Sequence, residues 1–179
     1  MNPILRAAAL AAVSLPLLSG CQTAAQRAMC PSINILANTS ALTQFKPNMQ
    51  GDPAGEMFEL QMTGAKASCN FDVDEGTTDT NIDITFRATR APSGEAANFT
   101  APYYLASVQD GTTILSKKIL ATAFTFAPGE ASVTFSENVP STVMHLENGV
   151  KPYQYGFLVG LQLTKEQLDY IKNHGRFAP

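Results

Sequence analysis

The sequence predicts a mainly β chain, a single antiparallel β-sandwich of immunoglobulin-like architecture closed by a short C-terminal helix. Two observations predict it. Apolar and polar residues alternate with a period of two in several segments, as in strands with one face in a core and the other in water. Turn residues interrupt those segments about every 8–12 residues, a spacing that favours two packed sheets of seven to nine strands. No internal repeat or second domain is visible, and 179 residues leave room for one domain with a real core.

The chain opens on a segment of a different kind. Arg6 is the only charged side chain in the first 26 residues, and Ala7 to Leu18 is apolar except for Ser14 and Pro16. A basic start, an apolar run and then small residues form the layout of a secretory signal peptide, here residues 1–20. The run is short of the roughly 20 apolar residues that a permanent helical span needs. Leu18-Ser19-Gly20-Cys21 resembles a bacterial lipobox. That resemblance implies cleavage before Cys21, acyl chains on its sulfur and a lipid bilayer as the first partner. An ordinary cleaved signal with a chance cysteine is the competing reading. Gln22 is not the aspartate that retains such proteins at the inner membrane of enteric bacteria. For a Gram-negative host the resemblance therefore implies the outer membrane, facing the periplasm. Residues 21–29 follow as lipidated cysteine and tether, and Gln22 to Met29 reaches at most about 27 Å when extended. Residues 30–179 form the sandwich domain.

Ser32 to Leu36 is the first strand, fastened at its start by Cys30. Residues 38–55 carry turn chemistry throughout and read as a loop. Phe58, Leu60 and Met62 alternate with Glu59, Gln61 and Thr63, and Cys69, Phe71 and Val73 alternate with Asn70, Asp72 and Asp74. Glu75-Gly76 turns the chain into Ile82, Ile84, Phe86 and Ala88, the clearest alternation of all. Pro92-Ser93-Gly94 opens a loop, and Tyr103 to Val108 is a strand. Asp110-Gly111 tolerates the positive φ of a hairpin turn into Thr113 to Leu120. Thr122 to Phe126 and Ala131 to Phe135 flank a second turn at Pro128-Gly129, and residues 137–152 read as loop. Tyr153, Tyr155, Phe157, Val159, Leu161 and Leu163 make an unbroken apolar face. Gly156 and Gly160 thin the opposite face, which predicts a central strand with a close neighbour. Thr164 and Gln167 form a capping box, with Leu163 able to staple to Leu168, for a helix from Lys165 to Asn173 that ends near Gly175.

Composition bounds the function. Without Arg6 the remaining eleven bases face fifteen acids, so no basic surplus suggests nucleic acid. With Cys21 assigned to lipid, Cys30 and Cys69 remain, and two thiols in an oxidising compartment usually pair. Two buried free thiols are the alternative. No closed zinc site is expected, because the cysteines lack a matching pair of histidines. The acidic run Asp72, Asp74, Glu75, Asp79 and Asp83 departs from a calcium loop: Gly76 is fifth from Asp72 where the sixth place is wanted, and the distal Glu is missing. A solvated face and hairpin tip is the better reading.

His145 and His174 are the only histidines, one in a loop and one at a helix end, and no G-x-S-x-G accompanies them. No catalytic residue, cofactor or metal is assigned, and the chain is expected not to be an enzyme. An unrecognised envelope hydrolase would need a reachable histidine beside a serine or carboxylate. Tyr103, Tyr104, Tyr153 and Tyr155 read first as core, and otherwise as the lining of a groove for a small molecule or glycan, with Tyr103, Tyr153 and Tyr155 the candidates. Lys117, Lys118, Lys151, Lys165, Lys172 and Arg176 read as ordinary surface charge, with anionic headgroups near the tether as the alternative.

Cys30-Pro31 after a short tether, Cys69 and the run Gly160-Leu161-Gln162-Leu163-Thr164-Lys165-Glu166-Gln167-Leu168 resemble a group of small alphaproteobacterial envelope lipoproteins. The resemblance implies a cell-envelope β-domain and no activity. The function expected from all this is a membrane-anchored, non-enzymatic binding or structural module with an envelope protein as partner.

Overall fold

The computed structural model describes residues 30–72, 74–92, 95–147 and 149–174. Eight strands form two four-stranded sheets packed face to face. In chain order they are β1 (Ser32–Ile35), β2 (Ala41–Phe45), β3 (Glu56–Asp72), β4 (Thr77–Thr89), β5 (Ala97–Gln109), β6 (Thr113–Phe126), β7 (Ser132–His145) and β8 (Tyr155–Leu161), followed by the helix α1 (Lys165–His174). The first sheet runs β1-β8-β5-β6 and the second β2-β3-β4-β7. Every pairing is antiparallel except that of β1 with β8. The sandwich with a short C-terminal helix is thus the observed architecture.

The predicted alternations fill the space between the sheets. Leu60, Met62, Ile82, Ile84 and Phe86 of the second sheet, with Tyr103, Phe157, Val159 and Leu161 of the first, are all almost fully buried. An aromatic cluster joins the layers at one end. Phe135 stacks on Phe86 and on Phe124 with ring centroids 5.3 Å apart in each case, and Phe58 meets Phe99 at 4.5 Å. These rings supply the large apolar volume that a chain without tryptophan needs.

β8 is interior to its sheet, as its two-sided apolar character predicts, and its glycines are close-approach sites. A side chain at Gly160 would strike Thr39 Oγ1 and the Tyr104 hydroxyl, and one at Gly156 would strike Ser32. The capping box also forms: Gln167 N–H donates to Thr164 Oγ1 (3.2 Å), and Thr164 N–H donates to Gln167 Oε1 (2.9 Å). In the expected hairpin turn, Asp110 and Gly111 take φ of 51° and 72°.

Four boundaries differ from expectation. The loop expected at residues 38–55 contains β2, which pairs along β3. The two expected segments of β3 are one strand, with a register shift between Met62 and Gly64 that keeps apolar residues inward on both sides. The two expected segments of β6 are likewise one strand. β7 runs on to His145 through a region expected to be loop. It does so through an irregularity where Pro140 and Ser141 (φ 49°) interrupt the ladder and Asn81 Oδ1 accepts from Ser141 N–H at 3.1 Å.

Topology gives the molecule two ends. Cys30, the β3–β4 turn, the β5–β6 turn and residues 149–154 lie at one end; α1, the β4–β5 loop and the β6–β7 turn lie at the other. At the second end Arg90 clamps the loops. Its guanidinium donates to the carbonyls of Glu130 (2.9 Å), Glu95 (2.9 Å) and Ala127 (3.1 Å) and lies 4.5 Å from the centre of the Phe126 ring.

Candidate functional site

The residues expected to carry the lipid, Leu18 to Cys21, lie outside the described residues, as do the tether 21–29, Val73, Ser93-Gly94, Gly175 and Arg176. Among the described residues no helix is long and apolar enough to cross a membrane. Cys30 and Cys69 are at disulfide distance, with Cα atoms 5.7 Å apart. Cys30 precedes β1 in one sheet and Cys69 sits on β3 in the other, so the pair staples the two layers where the tether would enter.

The candidates for chemistry are dispersed. His145 ends β7 on the outer face of the second sheet, in an open groove with Asp72, Glu75 and Asp79. Asp72 is committed to the turn, its Oδ1 accepting from the backbone N–H of Asp74 and of Glu75 at 3.0 Å each. Asp83 accepts from Asn138 at 2.7 Å. His174 is at the opposite end, stacked on Tyr170 (4.1 Å) and 2.8 Å from the Tyr170 carbonyl through Nδ1. Among the described residues no His, Cys, Asp and Glu group has the arrangement of a metal site.

The tyrosines divide sharply. Tyr103 is 1 % exposed and faces Phe86 across the sandwich; burial, and after it the Glu137 charge, push its hydroxyl up to about 12. Tyr155 is 2 % exposed and accepts from Glu147 N–H at 2.9 Å. Both are core residues because the period-two pattern turns them inward. Tyr153, 64 % exposed, is the one of the three that a ligand reaches freely. It belongs to a 3₁₀ turn before β8 and walls a cleft of about 410 Å³ with Ser32, Asn34, Asp110, Gln154 and Gly156.

That cleft opens on a larger feature, the outer face of the first sheet. Register places Ser32, Gly156, Val108 and Ile114 in one row across it, Asn34, Leu158, Ala106 and Lys117 in the next, and Gly160, Tyr104 and Ile119 in a third. Ile114 and Ile119 are 64 % and 52 % exposed. Leu36, just beyond β1, and Leu115, the extra residue at a register shift, are exposed as well. Lys117 lies 4.5 Å from the Tyr104 ring centre and donates to Gln162 at 3.1 Å.

The four strands of this sheet contain Lys117 and Lys118 and not one acid, whereas Glu56, Glu59, Asp72, Asp79, Asp83 and Glu137 all fall on the second sheet. The short 3₁₀ turn at Ala37–Thr39 lies against one end of this surface, where Thr39 Oγ1 meets the Tyr104 hydroxyl at 2.8 Å, and Tyr104, Ala106 and Val108 of β5 are buried, so the exposed apolar groups are those of the β6 side. The free edge of the sheet is β6, whose residues 113–119 are exposed throughout. Lys118, on the inward register of β6, lines a mixed cleft of about 260 Å³ between the sheets with Ser107, Ser116, Thr142, Leu105 and Val139. An inward lysine on an edge strand opposes pairing with a stray strand.

Sequence reasoning missed this face. The signal was present as the absence of Asp and Glu from four separated strands, which becomes a surface only when the strand order is known. Comparison with known protein families finds no family model that matches the chain. Comparison with curated proteins finds no match either.

Proposed function

We propose that this chain is a lipid-anchored bacterial envelope protein whose β-sandwich binds a neighbouring component and performs no reaction of its own. The observation that supports it is the combination of a lipobox-like Cys21 and a sheet whose strands hold no acid and expose Ile114, Leu115 and Ile119 along one side. Large exposed apolar patches on otherwise polar proteins mark interaction sites. Several acyl chains, at roughly 0.8 kcal/mol per buried methylene, hold a domain at a bilayer durably. The tether keeps it within about 27 Å of the lipid. The sequence after Cys21 supports an outer-membrane address facing the periplasm. The test is mass spectrometry of the N-terminal peptide from the native host, combined with membrane fractionation. Acyl chains on Cys21, and release of the domain to the soluble fraction by Cys21→Ala, are the expected results; an unmodified sulfur refutes the proposal.

A second reading has one specific observation behind it. The Tyr153 ring stands exposed over a cleft whose rim holds the Asn34 amide and the Ser32 hydroxyl, a stacking surface beside hydrogen-bonding groups of the kind that hold sugars. Glycan binding that Tyr153→Ala abolishes would establish it, and binding indifferent to Tyr153→Ala would remove it.

A further inference from the structure

We infer that the outer face of the first sheet lies flat on the anionic phospholipid bilayer to which the chain is anchored. The inference rests on the lipid-anchor proposal and names the partner of that face.

Three observations select this occupant. The first is shape. The sheet is about 15 Å across its three inter-strand gaps; Tyr104, Ala106 and Val108 of its central strand are buried, and its exposed apolar groups are Ile114, Leu115 and Ile119 along the β6 edge, with Leu36 beyond β1. Tyr153 stands at the rim, an amphipathic side chain of the type enriched at the level of lipid headgroups.

The second is charge. The chain is acidic overall, yet its acids are absent from the strands of this sheet, whereas the strands of the opposite sheet carry six acids against the two bases Lys66 and Arg87. A negatively charged surface therefore repels the second sheet and attracts the side that displays Lys117. Lys151 lies at the tethered end of this side, where Asp110 is the acid that shares the cleft, while Lys118 points between the sheets and takes no part. A second copy stacked face to face would oppose Lys117 to Lys117, and charge disfavours it.

The third is reach. The tether ends at Cys30, immediately before β1, which is an edge strand of this same sheet. Nine residues from 21 to 29 extend to roughly 30 Å, more than the width of the sheet, so the anchor does not prevent the face from lying down. Lys165 and Lys172, on α1 at the far end, take no part.

The absence of tryptophan supplies the experiment. Ile119→Trp places a single reporter on the proposed contact face, and Asp83→Trp places one on the opposite, acidic face; both positions are exposed. The mature lipidated protein, with acyl chains on Cys21 verified by mass spectrometry, is reconstituted in phosphatidylethanolamine–phosphatidylglycerol vesicles containing brominated lipid. The expected result is strong quenching and a blue shift for Ile119→Trp with neither for Asp83→Trp. Adding Lys117→Glu to the Ile119→Trp protein should reduce the quenching. Intact Cys30–Cys69 pairing and β-type circular dichroism verify the fold of each variant, and Ile114→Trp is a second reporter should Ile119→Trp misfold.

Equal quenching of both faces overturns the inference. So does no quenching at Ile119→Trp in lipidated protein, whether sedimentation then shows a monomer or a second copy covering the face. An unlipidated Cys21 overturns the anchor proposal itself, a result read from the mass spectrum and separate from either outcome.

Discussion

Replacing Gly160 by alanine should destabilise the domain markedly for a change of one methyl group. The added Cβ would collide with Thr39 Oγ1 and with the hydroxyl of Tyr104, and would stand 2.7 Å from Tyr104 Cζ. Those two oxygens are hydrogen-bonded to each other at 2.8 Å, so both must move and the bond between them must break. Overpacking costs about 1–3 kcal/mol and a lost hydrogen bond about 0.5–1.5 kcal/mol. The reduced freedom of the unfolded chain returns about 0.4–1 kcal/mol. The net expectation is a loss of about 2–3 kcal/mol. Gly64→Ala is the internal control, since its Cβ would meet only the Thr85 side chain at 3.8 and 3.9 Å, an ordinary contact.

Urea unfolding followed by circular dichroism should show a lower midpoint with unchanged slope for Gly160→Ala, and near-neutrality for Gly64→Ala. Thr39→Ala combined with Gly160→Ala should recover part of the loss. Gly160→Ala as harmless as Gly64→Ala would refute the close-approach account of β8.

Removing both Cys30 and Cys69 as serines frees a loop spanning 39 positions in the unfolded chain, and the chain-entropy relation gives a loss of about 4 kcal/mol, readable as a lower urea midpoint. Thr80→Val should stabilise by about 1 kcal/mol or more, because the Thr80 hydroxyl is fully buried and without a hydrogen-bond partner; thermal melts check it, and destabilisation would reveal a hidden partner. Tyr103 ionises near 12 in the folded protein and near 10 when unfolded, so the unfolded state gives up its proton first as pH rises. Stability from this group is complete below pH 10 and declines through about pH 12, a change absent in Tyr103→Phe and followed by urea midpoints across that range. Thr164→Ala removes the hydroxyl that accepts from Gln167 N–H and should cost about 1 kcal/mol, measured as faster amide exchange in α1 and a lower midpoint.

What the sequence disclosed depended on whether the signal was local. Ile82, Ile84, Phe86 and Ala88 identify β4 because alternation is written in consecutive residues, and the capping box at Thr164 is complete within four positions. β2 was hidden because its ALTQF segment is buried along most of its length and so shows no alternation, and polar turns surround it. The late part of β7 was hidden by Pro140, which is tolerated because β7 is an edge strand and the ladder is already irregular there. Tyr103 and Tyr155 differ from Tyr153 only in direction: strand register turns the first two inward, while the 3₁₀ turn leaves Tyr153 outside. The acid-free face draws on β1, β5, β6 and β8, so no window of sequence contains it.

The parallel pairing of the first strand with the last has a consequence for how the chain is made. A polypeptide delivered from its N-terminus holds β1 without a neighbour until Leu161 has emerged, more than 120 residues later. Nothing short of nearly the full length can complete that layer, whereas the second sheet has all four of its strands once His145 is made. A chain made in that order closes its first sheet last, whatever its destination.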